Sequence, residues 1–445
     1  MLKKIKLNNN SLIKQIIIIA LPIIIQQLLL SSYSFVNIFL VSKINEESLI
    51  AVGLAFSYEA FVNCLFFAIT SGLSIFIINN IQEKKFKEAS NNFYLMILIN
   101  LSLSFFWILI SHFFTEYIFN FFSNHTYDKN LYYYFKKYLR IICFYYIFMG
   151  INQAYYAMFR NIKKTYIPLI IISITTILNI FIASLIIKNN INYDKLKLLA
   201  MAIIFTNFIE SILFIVISLK YKDIFYNLKF SISIFKYSNI FEIIKKTYPI
   251  IINELLIGLS FPFYIKLFYQ YNDIFPSYLM ADRISYIFFN TSYGLSNAVS
   301  VIIGSNTKSK NCNEEKKLIF ASLIYGIIIV LLMVIFAPSL LNLYKNPTKL
   351  AKIFIYILTF KVFIKILNIV ILTILKFKKE TKKLLFIDGV FEWLLGVLLV
   401  YLLINVFEVK NFISVLLLSQ FVLILRLIVG YYYIFKKPLK NLNKN

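Results

Sequence analysis

The chain has 445 residues, of which 60% are hydrophobic and 15% are charged, and its formal net charge is +26. A soluble domain carries about 25% charged residues, and the mean hydropathy here is +0.77, so the composition excludes an ordinary soluble protein. Apolar runs long enough to cross a bilayer recur along the whole chain, without the short alternating segments typical of a membrane β-barrel. We therefore predict an all-α polytopic membrane protein, because a helix satisfies its own backbone groups in lipid.

The apolar runs predict twelve transmembrane helices. Their predicted ranges are 15–41, 49–78, 91–115, 132–158, 166–188, 196–219, 243–268, 277–303, 317–341, 352–376, 384–405 and 412–435. The longest connector, 220–242, is rich in Lys, Asn and Tyr and is predicted to be a cytoplasmic linker. It divides the chain into an N-terminal six-helix lobe, 1–219, and a C-terminal six-helix lobe, 243–445.

The excess of basic residues does not indicate nucleic-acid binding. Most of these residues lie in short segments between apolar runs, and residues 376–383 alone contain five Lys. Such residues are orientation signals, since cytoplasmic loops are enriched in Lys and Arg. The distribution predicts a multi-pass protein of the cytoplasmic (inner) membrane with both termini cytoplasmic. Cys64, Cys143 and Cys312 form no CxxC motif or Cys/His cluster, so we expect no metal site.

An internal repeat supports the two lobes. Residues 21–29 read LPIIIQQLL and residues 248–256 read YPIIINELL. Two further pairs of segments match in the same order: 70–74 with 292–296, and 160–165 with 376–381. Transporters built from such repeats bind substrate near the bilayer midplane, where the repeats meet. In this repeat Gln27 is the uncharged counterpart of Glu254.

Charged residues inside the predicted spans indicate where function lies, because each costs about 2.5–3.5 kcal/mol at a helix centre. Glu254 and Lys365 are each about 16 Å from the nearer helix end, and thus near the midplane. Asp388 and Glu392 share one helix face at spacing i, i+4. We predict that these four residues form an ion-coupling cluster, with Glu254 as the best candidate for a group that gains and loses a proton. The alternative is a static salt bridge that fixes helix packing.

The polar residues of the remaining spans predict a substrate cavity. Glu59 and Glu210 are acidic residues deep in the first lobe, where no basic residue is predicted at similar depth. The predicted cavity residues are Asn37, Glu59, Asn179, Glu210, Gln27 and Asn253.

Several segments together resemble the multidrug and toxic compound extrusion (MATE) transporters, in particular a bacterial branch. The resembling segments are residues 20–27 (ALPIIIQQ), 51–55 (AVGLA), 71–76 (SGLSIF), 160–179, 249–254, 294–304 and 388–393. The resemblance covers essentially the whole chain. It implies two six-helix lobes around a central cavity, alternating access, and export of amphipathic, often cationic compounds in exchange for H⁺ or Na⁺. We expect a monomer that binds a small organic substrate within the lipid bilayer and uses no cofactor.

The chain departs from the family pattern at the first-lobe cation site. Asn37 stands where the family usually has an Asp in span one, and Ala183 stands where many members have an Asp in span five. Neither side chain titrates near neutral pH, so ion coupling would require other carboxylates. This departure keeps open a degenerate transporter without ion coupling.

A second alternative is a flippase for a lipid-linked oligosaccharide, from the same superfamily. Its cavity should carry several cationic residues to hold a pyrophosphate. An intramembrane enzyme is not expected, because the chain has no Gly-x-Ser-x-Gly motif and no paired metal-binding His. The sequence therefore predicts a secondary antiporter and not an enzyme.

Overall fold

A computed structural model describes residues 12–123, 129–188, 194–226, 237–271, 273–305, 312–344, 348–377 and 381–435. Over these ranges the chain is helical, with a short 3₁₀ turn (Leu219–Tyr221), a π-helical stretch (Gly389–Val397) and no strand. The N-terminal lobe contains α1 (Leu12–Ser42), α2 (Glu46–Gln82), α3 (Phe86–Phe113), α4 (Thr115–Phe122), α5 (Lys129–Ile142), α6 (Tyr145–Asn161), α7 (Tyr166–Lys188), α8 (Lys195–Ser218) and α9 (Lys222–Phe225). The C-terminal lobe contains α10 (Tyr237–Phe268), α11 (Phe275–Ser305), α12 (Cys312–Leu341), α13 (Lys349–Phe377), α14 (Thr381–Asp388), α15 (Leu398–Asn405) and α16 (Phe412–Phe435).

These helices make twelve passes in the described part of the chain, as predicted. Ten segments are long and apolar enough to cross a membrane by composition alone. The other two passes are α11, which carries the adjacent charges Asp282 and Arg283, and the consecutive helices α5 and α6. One predicted span, 132–158, is thus two helices that are separated at Cys143 and Phe144. The chain is a multi-pass all-α membrane protein.

The hydrophobic cores separate into the two halves of the chain. Two clusters of buried apolar residues lie within the N-terminal lobe, among residues 40–203 and 73–225. A third lies among residues 265–434, and α1 adds Ala20 and Phe35 to it. Large apolar side chains such as Phe106, Phe181 and Ile335 are exposed. In a bilayer these outward side chains face lipid, whose tails are as apolar as the side chains themselves.

The connector between the lobes is partly helical where the structure describes it. Residues 219–225 form the 3₁₀ turn and α9, and Phe225 is fully buried against Phe93 and Tyr155 of the N-terminal lobe. On the other side α10 begins at Tyr237, six residues before the predicted start of span seven. Residues 227–236 of the predicted linker lie outside the described residues.

Two features interrupt the regular α-helical hydrogen bonding in the helices that build the centre of the protein. Pro22 lies within α1 and Pro249 within α10, at equivalent places in the repeat. Each removes one backbone donor from its helix. The π-helical stretch in the eleventh pass begins directly after Asp388 and includes Glu392. Such π-helical turns are rare and are frequently found at functional sites.

Candidate functional site

A cavity of about 430 Å³ lies between the two lobes. Its wall includes α1, α2, α6, α7 and α8 of the N-terminal lobe and α10, α11, α13 and α16 of the C-terminal lobe. A volume of this size is typical of small-molecule sites. The charged residues of the wall are Glu59, Arg160, Glu210, Glu254, Lys361, Lys365, Lys376, Glu392 and Arg426.

The predicted site residues fall in three places. Those that line the cavity are Gln27, Glu59, Glu210, Asn253, Glu254, Lys365 and Glu392. Asn37 lines a smaller cavity of about 50 Å³, which Glu59 and Tyr33 also line. Asn179 and Asp388 are fully buried and line neither cavity. The amide of Asn179 donates to the Thr206 hydroxyl at 3.3 Å.

Glu254 forms an ion pair with Lys376, at 2.8 Å between Oε1 and Nζ. The prediction had grouped Glu254 with Lys365, and the structure instead brings a lysine from the end of α13 to it. The same Nζ donates to the Ser71 hydroxyl of α2 at 2.5 Å. Lys376 ends the predicted span ten and begins the basic segment 376–383. A helical side chain points back toward the N-terminus of its helix, and here the ammonium reaches the cavity wall. This contact joins the two lobes through one charged group.

Asp388 and Glu392 are brought together, as predicted, but their partner is Arg426 of α16. Its Nη1 donates to Glu392 and its Nη2 to Asp388, and all three side chains are buried. Asn253 also donates to Asp388, and the Ser260 hydroxyl donates to Glu392 at 3.4 Å. Arg426 was not among the predicted site residues. Two carboxylates and one guanidinium give this cluster a formal excess of one negative charge, and Lys365 is a further electrostatic neighbour of Glu392.

Lys365 makes no ion pair with any residue that the structure describes. Its ammonium lies 5.0 Å from the centroid of the Phe289 ring, a cation–π contact. Lys361, one turn earlier on α13, also lines the cavity. The expected association of Lys365 with Glu254 is therefore absent among the described residues. Lys365 instead has Glu392, also of the predicted cluster, and Asp282 as electrostatic neighbours, without an ion pair to either.

The two acidic residues that line the cavity from the N-terminal lobe, Glu59 and Glu210, have mainly uncharged neighbours. The Glu210 carboxylate accepts hydrogen bonds from the Tyr156 hydroxyl and, at 2.9 Å, from Thr175. Glu59 has one buried oxygen that accepts no hydrogen bond from the residues that the structure describes. Its electrostatic partner is Arg283 of α11, in the other lobe. The Arg283 guanidinium lies 4.7 Å from the ring of Phe56.

Close helix crossings connect the lobes beside the cavity. A Cβ atom on Gly294 would lie 2.7 Å from the Cα atom of Ile24, so α11 approaches the backbone of α1. A Cβ atom on Gly258 would lie 1.8 Å from the Cys64 sulfur. Small residues permit such approaches between membrane helices.

Comparisons with known proteins agree with this architecture. The family model MatE matches residues 22–185 and 277–402. A solved structure of the MATE multidrug transporter DinF-BH in complex with rhodamine 6G has a TM-score of 0.79 and 16% identity, covering 96% of each chain. An outward-facing multidrug resistance MATE transporter of the MOP superfamily has a TM-score of 0.75 and 16% identity, covering 95% of this chain and 94% of the other.

A third similar structure is a MOP superfamily transporter from Pyrococcus furiosus, described as having a binding pocket of reverse polarity that suggests a different function. Its TM-score is 0.75 and its identity 17%, with 95% of this chain and 94% of that one covered. A search of curated protein sequences finds no match. At these identities the solved structures establish the fold alone.

Proposed function

The chain belongs to the MatE family of transporters, and from this premise we propose that it is a secondary antiporter that exports amphipathic, cationic organic compounds. The observation that carries the proposal is the cavity between the lobes, with Glu59 and Glu210 in its wall. Glu210 accepts hydrogen bonds only from hydroxyl groups among the described residues. An organic cation would therefore supply a positive charge that none of the described residues places in contact with the Glu210 carboxylate.

We propose that the exchanged ion, H⁺ or Na⁺, acts on the carboxylates of the C-terminal lobe and that no cofactor takes part. Asn37 and Ala183 cannot supply this charge in the N-terminal lobe. The cluster of Asp388, Glu392 and Arg426 has a formal excess of one negative charge, for which a proton or a sodium ion would compete with the neighbouring Lys365.

Glu254 could couple ion binding to the relative movement of the two lobes. Its partner Lys376 also contacts Ser71 of the opposite lobe. Neutralising Glu254 would leave the Lys376 ammonium without its counter-charge and so weaken a polar contact between the lobes. Ion occupancy at Glu254 would thus bias the relative positions of the lobes, as alternating access requires.

The proposal places a monomer in the cytoplasmic membrane with both termini cytoplasmic. This orientation follows from the Lys-rich connectors. A lipid-linked oligosaccharide flippase is the second candidate function. The observation that favours it is the pair of lysines, Lys361 and Lys365, that line the cavity wall without an ion pair to any described residue.

The test is efflux of rhodamine 6G from proteoliposomes under separately imposed H⁺ and Na⁺ gradients. We expect one of the two gradients to drive dye accumulation, and Glu210→Gln to weaken dye binding. Glu88→Gln is the matched control, because Glu88 is an exposed carboxylate of the same lobe that does not line the cavity. Dye transport that depends on neither the H⁺ gradient nor the Na⁺ gradient would refute the proposed antiport. Transport of a pyrophosphate-bearing lipid in place of the dye would establish the flippase.

A further inference from the structure

Arg283 extends from the C-terminal lobe into the N-terminal lobe, near the end of the bundle where α2 and α11 both begin. The residue lies on α11 and is only 4% exposed. Its guanidinium lies 4.7 Å from the centroid of the Phe56 ring of α2, and its Nη2 donates to the Ser57 hydroxyl at 3.5 Å. The ring of Phe261, in its own lobe, is more distant, at 6.0 Å. The charged end of Arg283 therefore lies against side chains of the opposite lobe.

The packing of α2 on α11 brings Arg283 to this position. A Cβ atom on Gly53 of α2 would lie 3.3 Å from Cδ2 of Leu279 of α11, so the two helices approach closely here. Small residues permit such approaches between membrane helices. Arg283 lies about one helical turn beyond Leu279, and Glu59 lies less than two turns beyond Gly53. Because both helices run in the same direction, Arg283 and Glu59 come to the same level of the lobe interface.

Glu59 and Arg283 attract each other across this interface without forming an ion pair. Glu59 is 8% exposed, and Arg283 is its electrostatic partner. One oxygen of Glu59 accepts no hydrogen bond from the described residues, and Nε and Nη1 of Arg283 donate none to them. Burial of a charge is costly unless the charge is paired and hydrogen-bonded. The two groups thus retain both an attraction and the hydrogen-bonding capacity to approach further.

The neighbours of Arg283 within its own lobe do not replace Glu59. Asp282 directly precedes Arg283, but consecutive residues of a helix point about 100° apart. Asp282 accepts a hydrogen bond from Tyr278 at 3.3 Å and has Lys365 as an electrostatic neighbour. The other groups of this lobe that interact electrostatically with Arg283 are tyrosines, namely Tyr278, Tyr286 and Tyr344. Glu59 is therefore the carboxylate that Arg283 meets in the opposite lobe.

We propose that Arg283 and Glu59 form an electrostatic latch between the lobes, which holds the cavity closed at the end where α2 and α11 begin. The inference rests on the proposed function, because a latch has a role only if the lobes move. Lys376, the other cation that contacts α2, donates to Ser71, about 21 Å further along this helix than Ser57. Alternating access opens one end of the cavity while the other is closed, so contacts at two levels of one helix can break in different states.

A cation in the cavity would release the latch. Glu59 lines the cavity, whereas Arg283 does not. A cation that binds Glu59 from the cavity therefore competes with Arg283 for one carboxylate. Once Glu59 is neutralised by this cation, the attraction between the lobes is lost and the latched end can open. Arg283 is thus a positioning residue that links occupancy of the cavity to closure of one end.

Distances between paired spin labels test the latch without any transport measurement. Lys43→Cys and Asn342→Cys place labels on exposed residues of opposite lobes, just beyond α1 and α12, at the latched end. Lys87→Cys and Lys317→Cys place a second pair of labels on exposed residues at the other end. The measurement uses the full-length protein in lipid, with its native cysteines replaced by serine. Double electron–electron resonance then gives the population of open protein at each end.

Variants of the two charges should open the latched end. We expect Arg283→Gln and Glu59→Gln each to raise the open population there about tenfold, the equivalent of one hydrogen bond to a charged group. The double variant should open this end no further than either single variant, because both remove the same attraction. Lys376→Gln should instead open the other end. Arg140→Gln is the matched control, since Arg140 is exposed on α5 and lines neither cavity.

Rhodamine 6G tests the release of the latch. Added to the parent protein, the dye should raise the open population at the latched end, and it should open Arg283→Gln no further. If the dye leaves the parent distances unchanged, release by a cation is refuted. If Arg283→Gln fails to fold, Glu59→Gln still removes the attraction, and Arg283→Lys should retain it.

The outcomes separate the latch from the proposed function. If Arg283→Gln opens the end and Glu59→Gln does not, Arg283 acts only by packing on Phe56 and the electrostatic latch is refuted. If neither variant changes the distances while the dye is exported along an ion gradient, the latch is refuted and the antiporter stands. If both variants open the end but no gradient drives the dye, the latch stands and the antiporter is refuted.

Discussion

Glu254→Gln is the most direct test of ion coupling, because it retains size and hydrogen bonding but removes the charge. The substitution removes the carboxylate that lies 2.8 Å from the Lys376 ammonium. The Glu254 side chain is only 16% exposed and that of Lys376 only 12% exposed. Removing one partner of a buried ion pair costs about 3–5 kcal/mol. Since both side chains here retain some exposure, we expect a loss of about 3 kcal/mol, at the lower end of that range, visible as a lower melting temperature in detergent.

The transport assay uses proteoliposomes with a pH difference of about one unit, or an equivalent Na⁺ gradient, and no membrane potential. A tenfold ion gradient corresponds to about 1.4 kcal/mol, so one exchanged ion per cycle sustains about tenfold accumulation of a monovalent cation. We expect the parent protein to approach this ratio. The Glu254→Gln protein should accumulate no dye, because an uncharged amide can neither bind nor release the coupling ion. Its affinity for the dye should change by less than about twofold.

The double variant Glu254→Gln/Lys376→Gln separates coupling from packing. Removing both charges should recover most of the lost stability, since no buried charge is left unpaired. It should not recover gradient-driven accumulation if Glu254 is the coupling group. Full accumulation by Glu254→Gln, or its recovery in the double variant, would show that this pair is a structural salt bridge and would refute the coupling role.

Three further experiments test other parts of the structure. Arg426→Leu should lower stability by about 3–5 kcal/mol, because it leaves two buried carboxylates without their partner; an unchanged melting temperature would contradict the cluster. Gly294→Ala should destabilise the protein by about 1–3 kcal/mol by forcing α11 away from the backbone of α1. Gly389→Ala is its control, since a Cβ atom there meets nothing within 4 Å. In a cysteine-free background, an impermeant thiol reagent added outside should label Asn192→Cys and spare Phe230→Cys. Both positions lie outside the described residues. The reverse labelling pattern would show that the proposed topology is inverted.

The sequence alone was sufficient to predict the twelve passes and, to within about three residues, most of their ends. Residues 166–188 and 412–435 match α7 and α16 at both ends. This succeeds because a bilayer imposes both a length and an apolar composition on each pass, and both can be measured along the chain. The break between α5 and α6 was missed, because an apolar run contains no signal for a local interruption of the helix.

The same reasoning identified the charged residues of the site but not their partners. Asp388 and Glu392 share a helix face in any helical arrangement, so their proximity could be predicted. The partners Lys376 and Arg426 depend on how α13 and α16 rotate and pack against α10 and the π-helical stretch.

The contrast between Lys365 and Lys376 shows where sequence reasoning reached its limit. Depth along the helix favoured Lys365 as the partner of Glu254, since both are near the midplane. In the structure Lys376, eleven residues further along α13, contacts Glu254, while Lys365 faces Phe289. Depth is a one-dimensional property of each helix, whereas an ion pair requires two side chains to point at each other. Composition thus determined which charges enter the membrane, and only helix packing decided which charges neutralise one another and which remain available to a substrate.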